Sequence, residues 1–195
     1  MATQLETQLE TEQGIVRVPV GTWKVDPAHS AVEFQAKHMM IATVRGRFSE
    51  FEGTIEAAPD INDSRAYGTV KVATIDTNQP DRDAHLRSPD FFDAERYPEI
   101  RVETKRIEPL GGAHFRVVAD LTIRDETREV EFEATVHGAD RDPWGNERVG
   151  VSWHGTIDRE DFGLKWQQVL ETGGFLVGDE VKVIVDVSAV RTPQA

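Results

Sequence analysis

Hydrophobic and polar residues alternate along most of this chain. Val32, Phe34 and Ala36 alternate with Glu33, Gln35 and Lys37, and Phe51, Gly53 and Ile55 alternate with Glu52, Thr54 and Glu56. The same period of two runs through Val70 and Val72, and through Ile100 and Val102. It continues in two longer series, Phe115, Val117, Ala119, Leu121, Ile123 and then Val130, Phe132, Ala134, Val136. Val149, Val151, Trp153 and Ile157 share one face of a further run, and Val181, Val183, Val185 and Val187 share another. Successive side chains of a strand point to opposite faces, so the pattern predicts half-buried β-strands. Turn-forming clusters at 58–64, 109–112, 124–127 and 142–146 separate the runs. Connections this short pair neighbouring strands antiparallel. About eight strands with one apolar face would leave two exposed edges if they lay flat, and closing the sheet removes them. The prediction is an all-β fold, an up-and-down antiparallel barrel with its apolar face inward. A two-sheet sandwich is the alternative.

One block breaks the alternation. Residues 81–98, DRDAHLRSPDFFDAERYP, are turn-rich, charged and aromatic. Pro80 and Pro89 suit the first position of a helical turn, with Asn78 and Ser88 as candidate caps before them. Leu86, Phe91 and Phe92 give the block an apolar side, and Asp81, Arg82, Asp83, His85 and Arg87 a charged one. The reading is a set of short helical lid segments on one end of the barrel. Asp158, Arg159, Asp161 and Phe162 form a second turn-rich block. Phe162 and Trp166 are expected to pack on the barrel, and 164–175 to form a long loop flanking an entrance. Residues 1–14 repeat TQLE and read as a polar tail, a loose helix or a disordered segment, ahead of a single domain over 15–192.

The inward register collects Phe34, Phe51, Phe115, Phe132, Trp153 and the valines. An eight-stranded barrel can be filled by such side chains or can hold one small ligand. The pattern leaves both open. A cavity, if present, would be apolar and would select a hydrophobic chain.

Charge narrows the partners. With 22 basic and 35 acidic residues the net charge is −13, which argues against nucleic acid and against tight electrostatic binding to anionic membranes. There is no cysteine, hence no disulfide, thiolate metal site or cysteine nucleophile. No apolar run is long enough to span a bilayer as a helix, so integral membrane association is not expected. The first residues show neither a basic n-region nor an apolar h-region, and the expected location is cytoplasmic.

Catalytic chemistry finds little support. No G-x-S-x-G elbow occurs. His29 and Ser30 are adjacent, and neighbours on a strand face opposite ways, so they do not make a nucleophile–base pair. The histidines His29, His38, His85, His114, His137 and His154 form no H-E-x-x-H or H-x-H arrangement. His29, His38 and His85 all lie beside loops and are placed together near one end. The lid charges Asp81, Arg82, Asp83 and His85 either meet a ligand's polar head or pair among themselves to hold the lid, and the second role is favoured. Arg45, Arg47 and Lys165 are alternative head-group contacts. No catalytic or metal-binding residue is assigned.

Several segments resemble the YceI family. They are WKVDPAHSAVEFQAKHM at 23–39, GRFSEFEGTI at 46–55, RDAHLRSPDFFDAERYPEI at 82–100, ADLTIRDETREVEFEATV at 119–136, DPWGNERVGVSWHGTIDREDFGL at 142–164 and the terminal VGDEVKVIVDV. The resemblance covers about 21–189 in order. It implies an extended, lipocalin-like eight-stranded barrel with an apolar tunnel for polyisoprenoids or other long-chain amphiphilic lipids, and frequent homodimers. Many relatives carry a secretory signal and act in the periplasm, whereas this chain shows none. The function this implies is binding and sequestration or transport of a long-chain lipid. The bound lipid, a polyisoprenoid or an isoprenoid quinone, is then the one non-protein component, with no cofactor. Residues expected to line the tunnel are Phe34, His38, Phe48, Phe51, Val70, Val72, Phe92, Phe115, Phe132, Trp153, Phe162 and Phe175. The alternatives are an isomerase or hydrolase acting on a lipid held in the barrel, with His85 or His38 as base, and an assembly protein whose barrel is solid.

Overall fold

The computed structural model describes residues 9–193. Its main feature is a closed eight-stranded antiparallel barrel. The ring runs in the order β3 (Gly21–Val25), β6 (Phe51–Ala57), β7 (Arg65–Lys71), β9 (Glu99–Gly111), β10 (His114–Ile123), β11 (Glu126–Arg141), β12 (Glu147–Asp158) and β13 (Val177–Arg191), which returns to β3. Short turns join β6 to β7, β9 to β10, β10 to β11 and β11 to β12, while longer excursions join β3 to β6, β7 to β9 and β12 to β13.

Three of the walls are longer than the ring. A 3-10 turn at Pro27–His29 interrupts β3, and the chain then continues along the same edge of β13 as β4 (Ala31–His38). β5 (Ala42–Phe48) pairs with β4 and runs on into β6. β7 turns through a 3-10 step at Val72–Thr74 and resumes as β8 (Ile75–Asp76) against β5. The last of these breaks falls at the end of the run that the alternation reads through Val70 and Val72, and the extension makes a tall barrel.

At the top of this extension a strand is missing. β9 meets β7 only from Glu99 onward, and β8 pairs only with β5. The chain between β8 and β9 fills the gap as α1 (Pro80–Arg87) and a run of turns. Pro80 occupies the first turn, but Gln79 caps it, accepting the Arg82 N–H at 2.8 Å. Asn78, expected as the cap, instead takes a positive φ of 61°. Ser88 closes α1 rather than opening a second helix.

The two ends are built differently. At the lower end, buried Trp23, Phe115, Val117, Ala119, Ala134, Val136, Val149 and Ala189 meet across the barrel. The Trp23 indole N–H donates to the Pro19 carbonyl at 2.8 Å, and the Arg191 guanidinium lies 5.6 Å from the Trp23 ring centroid. β1 (Glu10–Glu12) and β2 (Ile15–Arg17) form a hairpin that places Leu9, Ile15 and Val18 against this cluster. Over 10–14 the expected loose helix or disorder is therefore replaced by the first strand and turn of this plug; residues 1–8 of that tail lie outside the described residues. At the upper end, Phe91, Leu121, Ile123, Phe162 and Leu164 pack beneath the lid block.

Candidate functional site

Between the plug and the lid lies a cavity of about 250 Å³. Alternation puts its walls in place: Val32, Phe34 and Ala36 from β4, Val181, Val183, Val185 and Val187 from β13, Phe51 and Ile55 from β6, Leu121 and Ile123 from β10. Leu86, Phe91 and Phe92 form its roof, with Phe162 and Leu164 beside them. The barrel is hollow above and closely packed around a smaller chamber below.

Aromatic rings bind roof to wall. Phe34 and Phe48 lie 5.7 Å apart, and Phe48 meets Phe92 edge-on at 6.2 Å. Such pairs add about 0.5–1.5 kcal/mol beyond burial. Glycine makes room for two rings. A Cβ on Gly46 would come within 2.2 Å of the Phe34 ring opposite, and one on Gly155 within 2.5 Å of Phe132.

Polar groups serve the frame. Buried Asp83 accepts the Thr77 N–H and hydroxyl at 2.8 and 2.5 Å, while Arg82 donates to the Thr77 hydroxyl and carbonyl, both at 2.7 Å. His85 bonds Asp90 at 2.8 Å, and its ring stacks edge-on with Phe91 and Trp166. Arg82, Asp83 and His85 are thus engaged within the lid block. Arg159, buried at the cavity wall, donates to the carbonyls of Leu164, Trp166, Val177 and Gly178 and to Asp179 at 2.8 Å. A guanidinium has five donor hydrogens, so none is left for a ligand. Arg124, held at φ 59° in the β10–β11 turn, reaches the Phe91 and Gly163 carbonyls and ties the lid to the loop after β12.

Of the residues expected to line the tunnel, Phe34, Phe48, Phe51, Val70, Phe92, Phe132, Trp153 and Phe162 stand at the wall of this cavity. Four do not. His38 keeps the inward register, but β4 has cleared the barrel there and it is exposed. Val72 falls on the 3-10 step, which ends the alternation and buries it elsewhere. Phe115 points inward among the plug residues and faces a smaller, 80 Å³ chamber. Phe175 sits on the loop before β13, exposed beside Val169. His29, His38 and His85 do not converge: His29 and His38 stand at opposite ends of β4. Among the described residues no group of three or more His, Asp or Glu is placed to hold a metal ion.

The β13 valines, placed in the inward register, and Leu86 and Phe91, placed on the lid's apolar side, join the lining, and Leu164 was not foreseen there. Arg159 was noted only as part of a turn-rich block and Arg124 only within a turn, since their roles depend on carbonyls that the fold brings to them.

Residues 23–189 match the YceI-like domain family. The chain belongs to that family. A UPF0312 protein of Staphylococcus aureus strain N315 is 40% identical over 161 residues, covering 80% of this chain and 90% of that one. Among solved structures, BcnA of Burkholderia cenocepacia matches with a TM-score of 0.73 at 25% identity, over 84% of this chain and 98% of that one. A polyisoprenoid binding domain from Saccharophagus degradans matches with a TM-score of 0.64 at 15% identity, over 89% and 99%. The YceI-like barrel is therefore this chain's fold, and its hollow upper half is its candidate site.

Proposed function

We propose that this YceI-like barrel binds the hydrocarbon chain of an amphiphilic lipid, an isoprenoid, inside the upper cavity and carries it without covalent change. The cavity itself carries this reading. Its side chains are aliphatic and aromatic, and burial there returns about 25 cal/mol per Å² of apolar area without any reactive group. The ionisable residues at its wall are Glu33, Glu52 and Tyr67, which are exposed, and Arg159, which is fully engaged. Neither His38 nor His85, the bases a lipid-modifying enzyme would use, lines it. The choice of an isoprenoid is supported by the fold shared with the Saccharophagus degradans domain.

Volume sets a limit. An apolar cavity of about 150 Å³ takes one benzene, so 250 Å³ holds roughly ten carbons, two isoprene units. A longer chain needs the lower chamber, which shares Ile55, Ala66, Val151 and Trp153 with the upper one. Native protein extracted with organic solvent is expected to release an isoprenoid lipid detectable by mass spectrometry, and stripped protein to take up geraniol. Empty extracts together with no uptake of geraniol, farnesol or a fatty alcohol would overturn the carrier.

A further inference from the structure

The lower chamber is closed by a segment that lies outside the ring of strands. Its lining includes Arg17 and Val18, together with Ala58 and Ile61 of the β6–β7 connection. Arg17 ends β2 and Val18 follows it, and both precede residues 23–189, the segment that matches the family. The barrel closes without them, because β1 and β2 form a separate two-stranded sheet.

This hairpin has little of its own to hold it. Its strands are three residues each, whereas β12 and β13 pair all the way from Arg148 to Asp158. A lone two-stranded hairpin is marginal in water. Its turn also holds Gln13 at a positive φ of 51°, a conformation that disfavours any residue with a Cβ. Contacts with the barrel supply the rest. The Val16 N–H donates to the Gly112 carbonyl at 2.8 Å, and Leu9, Ile15 and Val18 pack on the lower core. The Arg17 guanidinium donates to the Pro59 carbonyl at 2.8 Å and to the Ala58 carbonyl at 3.2 Å, which stitches the hairpin to the β6–β7 connection at the chamber's edge.

Volume makes this closure matter. One benzene takes an apolar cavity of about 150 Å³. On that scale the upper and lower spaces, 250 and 80 Å³, together hold roughly thirteen carbons, fewer than three isoprene units. A longer chain that keeps descending past Trp153 meets Arg17 and Val18. Leu9, Ile15 and Val18 already cover apolar surface of the lower core. A hydrocarbon chain arriving there replaces one apolar cover by another, so the hairpin can leave without the core being left to water.

We propose that the β1–β2 hairpin is a detachable stopper of the lower chamber and sets the length of chain that the barrel accepts. Seated, it holds the occupant to the two inner spaces; displaced, it lets a longer chain run out at the base. The proposal rests on the carrier reading for its ligand and on the hairpin alone for the opening. The chain has no cysteine, so Ala134→Cys puts a single thiol in the lower chamber. Its reaction with methyl methanethiosulfonate reports the opening without any lipid. Adding Ile15→Asp or Arg17→Gln is expected to accelerate that reaction about tenfold or more, and adding the lid variant Asp83→Ala to change it less. Without the thiol, Ile15→Asp is expected to raise affinity for geranylgeraniol by about tenfold, because the chain no longer has to displace a seated hairpin, and to leave geraniol affinity unchanged. A reaction rate insensitive to both hairpin variants, or more sensitive to Asp83→Ala, would overturn the stopper. So would an unchanged preference between the two alcohols in Ile15→Asp when both bind. Binding of neither alcohol, with thiol rates as expected, would refute the carrier and leave the hairpin standing as the closure of the chamber.

Discussion

Trp153 has two jobs because of where β12 places it. Its ring packs 6.0 Å from Phe132, at the border of the solid core, and it faces both the upper cavity and the lower chamber. It therefore sets how far a chain can descend. Trp153→Ala is expected to cost about 3–5 kcal/mol of stability and to join the two spaces. Affinity for farnesol should then rise relative to geraniol, measured by competition at a temperature where both proteins are folded. An unchanged preference would show that the partition lies elsewhere. Gly46 acts in the opposite sense, because the missing side chain lets the Phe34 ring lie back against the wall. Trp153 was readable in advance as an inward aromatic on a regular strand. Gly46 was not, since a glycine breaks no alternation and its value lies in a ring on the neighbouring strand.

At the level of elements, the lid block is a local structure before it is a cover. Asp83 organises it by gathering the Thr77 N–H and hydroxyl, and Arg82 completes the knot at Thr77. Asp83→Ala leaves those buried donors unpaired, at about 1–3 kcal/mol. The expected result is faster amide hydrogen exchange across 77–97 with the lower strands unaffected, together with quicker release of geraniol. Uniform acceleration over the whole barrel would mean that the lid is not a separate unit. The sequence composition of 81–98 announced a lid with an apolar underside, and Leu86, Phe91 and Phe92 form it. The strands were legible for the same reason: burial on one face imposes a period of two. Their interruptions were not. The 3-10 steps at Pro27–His29 and Val72–Thr74 bend the wall, and a bend moves Val72 out of the cavity without altering its hydrophobicity. The N-terminal plug was also invisible, because three apolar residues as widely spaced as Leu9, Ile15 and Val18 carry no period.

For the molecule as a whole, a polar knot ties three connections together. Arg148 on β12 donates to Asp26 before the first 3-10 turn and to Asp142 in the β11–β12 turn, each at 2.8 Å, and Asp26 also bonds His29. The Arg148 hydrogen bond, then that of His29, lowers the Asp26 carboxyl from 3.8 to about 2. Burial acts to raise Asp142, but hydrogen bonds from Asn146 and Arg148 prevail and hold it low. A carboxylate depressed on folding stabilises above its unfolded value, and that contribution is lost as pH falls through the folded one. The knot's contribution should thus be complete above about pH 4 and fade towards pH 2. Urea midpoints are expected to separate wild type from Arg148→Met at neutral pH and to converge in that acid window. A gap that persists below it would assign the loss to packing of the arginine stem.

The plug beneath the core has a kinetic corollary. If a chain enters and leaves only at the end away from this plug, arrival and departure share one path. A resident chain must withdraw before a newcomer can take its place, and adding more newcomer does not hasten the withdrawal. Handover then runs at the pace of spontaneous exit, whatever the demand outside.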